Sequence, residues 1–120
     1  MLKRIRSITE QGKHILLIDL SNCRASEVAD IAEAVPDHVM VLPRSSVLLL
    51  VNFAGASFDA EAIRVVKEAA VFDKPYIKKA AWIGWGTTLD EVSTEIRDFS
   101  RREFPIFDSF QEAVAWLVRD

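Results

Sequence analysis

The sequence contains a single cysteine, Cys23. An internal disulfide is therefore excluded, as is any zinc site built on several thiolates. Glycine and proline are sparse, at four residues each, which excludes repetitive or linker-like architecture. Charge of one sign is also lacking. Fifteen basic residues stand against eighteen acidic ones, a formal net charge of −3, so no broad positive surface is offered to phosphate backbones and nucleic acid is not an expected partner. Long apolar runs are missing as well. HILLIDL near the start and VLLLVNF in the middle fall far short of the roughly 20 residues a membrane-spanning helix needs. The opening MLKRIRSITEQGKHILLIDL has the basic prefix of an export signal, but its apolar part is short and broken by Asp19, so a cytoplasmic location is expected. Lys3, Arg4 and Arg6 read as a solvated terminus.

What is present is a core. Half of the 120 residues are apolar and 28% are charged, the composition of one globular domain over residues 1–120. Ile15 to Leu20 is a nearly continuous, β-branched-rich apolar run, as expected of a strand buried on both faces. Val28, Ile31, Ala32 and Val35 then recur at helical spacing, and the stripe continues through Val39 and Leu42 despite Pro36. That stretch predicts a kinked helix or a fresh helical turn, with a short strand over Val39 to Leu42 as the alternative. Val47 to Phe53 is the clearest buried strand and ends in the small-residue turn Ala54, Gly55, Ala56.

A helix follows, capped by Asp59 or Ser57, with Ile63, Val66, Ala69 and Ala70 inward and Glu61, Arg64, Lys67 and Glu68 outward. Tyr76 to Ile83 predicts a third strand, leading to Gly84, Trp85 and Gly86. Thr88 and Glu91 form the pattern of a capping box, with Leu89, Val92, Ile96 and Phe99 as the buried stripe. Phe104 to Phe107 predicts an edge strand, and Ser109 with Glu112 a second capping box before Phe110, Ala113, Val114 and Leu117. Strand and helix alternate four times, and Leu2 to Ile8 suits an added antiparallel edge. The expected fold class is α/β: a mixed, mostly parallel sheet of four or five strands with flanking helices.

Chemistry is harder to find. Gly84, Trp85, Gly86, Thr87, Thr88, Leu89 sits between strand and helix like a dinucleotide-binding loop. The third glycine is replaced by Leu89, however, and Asp90 and Glu91 place negative charge where a pyrophosphate would lie. His14 and His38 are isolated and read as surface histidines, so no metal site is expected. Cys23 reads as a small buried hydrophobe. No nucleophile elbow or P-loop is present. A phosphorelay receiver would carry acidic residues where this chain has Ser21, Asn22 and Asn52. The carboxylates Asp59, Glu61, Asp90 and Glu91 fall at helix starts, where they complement the dipole.

HILLIDLSNC, SSVLLLVNFAGASFDAEAI, KPYIKKAAWIGW and FPIFDSFQEAVAWLV together resemble the small bacterial STAS-like family related to the SpoIIAA anti-sigma-factor antagonists, over His14 to Val118. The resemblance implies a STAS/SpoIIAA-like fold, no enzymatic activity and no cofactor. In the regulatory antagonists a D-S-S-G-like turn after the central strand carries a phosphorylated serine. The matching stretch here is Ser57, Phe58, Asp59, Ala60, Glu61, with Ala60 and Glu61 where the serines stand, so the phosphoacceptor is expected to be absent.

Two functions compete. One is a regulatory or protein-interaction module with an unidentified protein partner. The other is a binder of a small apolar or lipid-like ligand in a crevice at the strand ends, an analogy supported by the family's comparison with a lipid-transfer fold. The residues expected to carry either role are Phe53, Ser57, Phe58 and Trp85. The apolar content also admits a homodimer.

Overall fold

The computed structural model describes residues 3–119. The chain opens with a hairpin, β1 (Ile5–Glu10) and β2 (Lys13–Asp19), paired antiparallel from Ile5 opposite Ile18 to Glu10 opposite Lys13. Its two-residue turn, Gln11 and Gly12, has positive φ at both positions (51° and 77°), the geometry whose twist matches that of the flanking strands. The expected N-terminal edge strand therefore forms, displaced toward the turn. Leu2, where it was expected to begin, lies outside the described residues.

A helix and two strand–helix units follow: α1 (Ala25–Val39), β3 (Val47–Asn52), α2 (Ala60–Asp73), a single turn of tighter helix at Lys74–Tyr76, β4 (Ile77–Ile83) and α3 (Thr87–Ser100). The chain ends with β5 (Ile106–Phe107) and α4 (Phe110–Val118). The five strands lie in the order β1-β2-β3-β4-β5, parallel from β2 onward. Sequential parallel strands joined by crossovers of one hand place every crossover helix on one face. Accordingly α1, α2 and α3 share a core with the face bearing Ile18, Leu49, Val51 and Trp82. The helix after β5 crosses to no further strand. It folds back over the other face, where Ala113, Val114 and Leu117 cover Ile15, Leu17, Leu48, Leu50 and Ala81. Strands buried on both faces explain the continuous apolar runs.

The end of α4 is held by cations from the sheet beneath it. Lys13 Nζ donates to the Val118 carbonyl at 2.8 Å and Lys79 Nζ to the Trp116 carbonyl at 3.0 Å. The ammonium of Lys79 also lies 5.0 Å from the Trp116 ring centroid. Basic groups at a helix C-terminus satisfy carbonyls that have no partner within the helix.

Several local expectations are corrected. Pro36 lies inside α1, which runs on to Val39; no strand forms over Val39 to Leu42, and Leu42 is exposed, not part of the buried stripe. The α3 start has no capping box. Gly86 at φ 101° is the N-cap and no side chain caps the helix, because the glycine turn starts the helix at Thr87 and leaves Thr88 already inside it. Phe99 and Phe110, expected in buried stripes, are exposed. In the α3 stripe Ser100 is buried instead, its hydroxyl donating to the Ile96 carbonyl at 2.7 Å. Of the second expected capping box the serine half forms: Ser109 Oγ accepts from the Glu112 N–H at 3.2 Å, without a return bond from the Glu112 side chain among the described residues.

Candidate functional site

The C-terminal ends of β2, β3 and β4 open into three adjacent turns, the place where open α/β sheets offer crevices. The first two turns are tied together. The Asn22 N–H donates to the Ala54 carbonyl at 2.8 Å and the Ser57 N–H to the Cys23 carbonyl at 2.9 Å. Gly55, at φ 73°, meets Asn22 so closely that a Cβ would lie 2.2 Å from Asn22 Oδ1. Only glycine fits there, for want of space and because of its backbone conformation. The Asn52 side chain accepts from the Ala54 N–H at 3.0 Å, an Asx-type turn that absorbs the polar residue at the end of the central strand.

Of the four predicted site residues, the structure places two in one aromatic cluster. Phe53 is 4% exposed. It continues the inward alternation of Leu49 and Val51, so its ring packs edge-on against Trp82 at 4.6 Å and tilted against Phe58 at 5.5 Å. Phe53 is a core residue here, and it also lines the apolar cavity between the sheet and the helices. Phe58 is half-buried against the same core. Ser57 is exposed, and of the two caps the sequence offers for α2 it is Asp59 that acts, its carboxylate accepting from the Ala62 N–H at 2.8 Å. Trp85 stands apart. It is 64% exposed, between Gly84 and Gly86 at φ 155° and 101°, with the Gly84 N–H bonded to the Phe107 carbonyl of the neighbouring strand.

Beneath these turns, between the sheet and α1 and α2, runs an apolar cavity of about 50 Å³. Leu20, Val35, Val51 and Trp82 contribute to its wall, and Asp73 and Arg102 are its two charged residues. Asp73 is 3% exposed and its Oδ1 has no hydrogen-bond partner among the described residues. Burial pushes its carboxyl up to about 7, opposed by the nearby positive charge of Arg102. Burial in turn lowers the guanidinium's pKa. Arg102 donates to the Ala70 carbonyl at 2.8 Å and lies 4.7 Å from the Phe104 ring centroid. The cavity can hold water but is well below the several hundred Å³ of ordinary ligand pockets.

Neither residue was singled out in the sequence, although Asp73 carried a signal: it follows Val66 and Ala70 at helical spacing, so the buried stripe of α2 ends on a carboxylate. Arg102 had none. It reaches the cavity from the connection after α3, which turns at Arg101 with φ 60°.

Cys23 is buried, and loss of solvation raises its thiol pKa, opposed by Arg4; it behaves as the small hydrophobe expected. His14 and His38 are both exposed. Among the described residues no three His, Cys, Asp or Glu side chains converge as a metal site would require, and no helix is long and apolar enough to cross a membrane.

No family model and no curated protein matches the sequence. The fold does have a counterpart. The crystal structure of an uncharacterized DUF3478-family protein with a SpoIIAA-like fold, from Shewanella loihica PV-4, superimposes with a TM-score of 0.71. The match has 15% sequence identity and covers 94% of this chain and 91% of that one. The chain thus has a STAS-like, SpoIIAA-like fold: a mixed, mostly parallel five-stranded sheet with four α-helices.

Proposed function

We propose that the protein is a non-enzymatic regulatory module that docks a protein partner on the surface formed by the C-terminal ends of its parallel strands, with Trp85 as the anchor. The observation that carries this reading is the exposure of Trp85 between two glycines. A large aromatic ring held away from the core by a turn contributes little to folding, whereas an indole is among the side chains that dominate protein interfaces when covered. Phe58 and Ser57 border the neighbouring turn, whose backbone is held by its bonds to Asn22 and Cys23. Ala60 and Glu61 stand where the antagonists have serines, so docking in this reading is not controlled by phosphate.

Native mass spectrometry of the protein purified from its host, as wild type and as Trp85→Ala, tests the proposal. A defined protein complex lost in the variant supports it. A bare chain in both samples, or a complex indifferent to Trp85, refutes it. The second reading, binding of a small apolar or lipid-like ligand, draws on the cavity beneath α1 and α2. At about 50 Å³ that space admits such a ligand only if a helix moves outward. A co-purified lipid-sized mass in the same spectrum would favour it.

A further inference from the structure

The opposite end of the sheet concentrates exposed apolar side chains. After α1 the chain leaves the core through Met40, Val41 and Leu42, exposed by 50%, 78% and 41%. Three consecutive large apolar residues in water have no role in the core below them. Phe72, on the last turn of α2, is also half exposed. It stacks on Tyr76 at 6.5 Å and shares a shallow groove with Pro36. The loop after Leu42 is fastened beside this helix end, because the Ser45 and Ser46 N–H groups donate to the Pro75 and Tyr76 carbonyls at 3.0 and 3.1 Å. The apolar loop and Phe72 therefore share one end of the molecule.

Cations surround that patch. Arg44 follows the loop, Lys74 begins the turn after α2, and Lys78 lies in the irregular start of β4; all are exposed, and none makes an ion pair among the described residues. Against these three cations stand two exposed acids near the end of α1, Asp37 and Glu33, with His38 beside Asp37; Glu68, which lines the same groove, is paired with Arg64. Helix-dipole complementarity does not account for Arg44 or Lys78, which belong to no helix end. On a chain whose net charge is −3, a local excess of positive charge around protruding apolar residues is complementary to an anionic surface. A second copy of the same patch would meet it with like charge.

We propose that this end of the sheet docks on an anionic lipid surface, with Met40, Val41 and Leu42 entering the headgroup layer and Arg44, Lys74 and Lys78 facing lipid phosphates. Apolar insertion together with a basic rim is the two-part requirement for stable but reversible membrane attachment. The surface is remote from Trp85, so a partner held there stays free while the other end rests on the bilayer.

Flotation of the whole chain with phosphatidylcholine vesicles containing one-quarter phosphatidylserine tests the proposal. The expected result is co-flotation that weakens with added salt and disappears with phosphatidylcholine alone. Val41→Asp abolishes it, and Arg44→Gln combined with Lys74→Gln weakens it roughly 25-fold, about five-fold per charge. Trp85→Ala leaves it unchanged, which separates failure of this surface from failure of the protein-docking one. The altered side chains are exposed, and unchanged urea midpoints would confirm that the variants fold. A polarity-sensitive dye on Val41→Cys, with buried Cys23 unlabelled, should shift to the blue on vesicles, and the same dye on Ser57→Cys should not. Absence of binding to the anionic vesicles, or binding that survives Val41→Asp, would overturn the proposal. Capture of polyglutamate without capture of vesicles would also overturn it, in favour of an acidic protein partner.

Discussion

Replacing Asp73 by asparagine should stabilise the protein at pH 8 and leave it almost unchanged at pH 4. The carboxyl titrates near 3.8 when solvated and about 7 in the fold, so the native state holds this proton more tightly than the unfolded chain does. Stability through this group is then fully present below pH 4, falls as the pH rises, and is lost above about pH 7. A rise of about three pH units at about 1.4 kcal/mol each sets an upper limit of roughly 4 kcal/mol. Water entering the cavity beside Oδ1 would relieve part of that, so a gain of about 2–4 kcal/mol is expected for Asp73→Asn at pH 8. Urea melts of both proteins across this range provide the measurement, since titrations elsewhere cancel in the difference between them. Arg102→Gln should move the transition to higher pH by removing the charge that favours the carboxylate. A difference that stays flat with pH, or that grows toward acid, would show that Asp73 is ionised and solvated in the native state.

Three further outcomes follow from the packing. Trp82 is 2% exposed, met edge-on by Phe53 and stacked on Phe104, so Trp82→Ala should cost about 3–5 kcal/mol, while Trp85→Ala should cost less than about 1 kcal/mol; paired urea melts compare them, and equal losses would place Trp85 in the core. Asp59→Ala should cost about 1 kcal/mol through the lost α2 cap, whereas Ser57→Ala should be nearly neutral, both measurable by thermal unfolding. Phosphopeptide mapping of protein from its host should find Ser57 unmodified, and substantial phosphate there would restore a phosphorylation switch.

The alternation of strands and helices was legible because buried parallel strands need continuous apolar runs and their crossover helices need one apolar stripe. VLLLVNF and the stripe of α2 could hardly form anything else. The N-terminal edge strand was legible from its charges, although its register depended on the positive-φ turn at Gln11 and Gly12. Caps were read less well at Thr88, because a serine or threonine pattern does not reveal where a glycine turn will start the helix. Phe99 and Phe110 show a different limit. Helical spacing assigns a face, but how far neighbouring elements extend over that face decides burial, and Phe99 ends near the Lys67 ammonium, 5.5 Å from its ring centroid.

The candidate site divides in the same way. Sequence alone determined that Trp85, between two glycines at a strand end, stands outside the regular alternation. Only the tertiary structure decided that Phe53 turns inward, since strand parity assigns a side but not what covers it. The meeting of Asp73 with Arg102 also needed the fold. One ends a helical stripe and the other follows a left-handed turn after the next helix, and no local periodicity links residues whose proximity arises from packing α2 and α3 on the same face of one sheet.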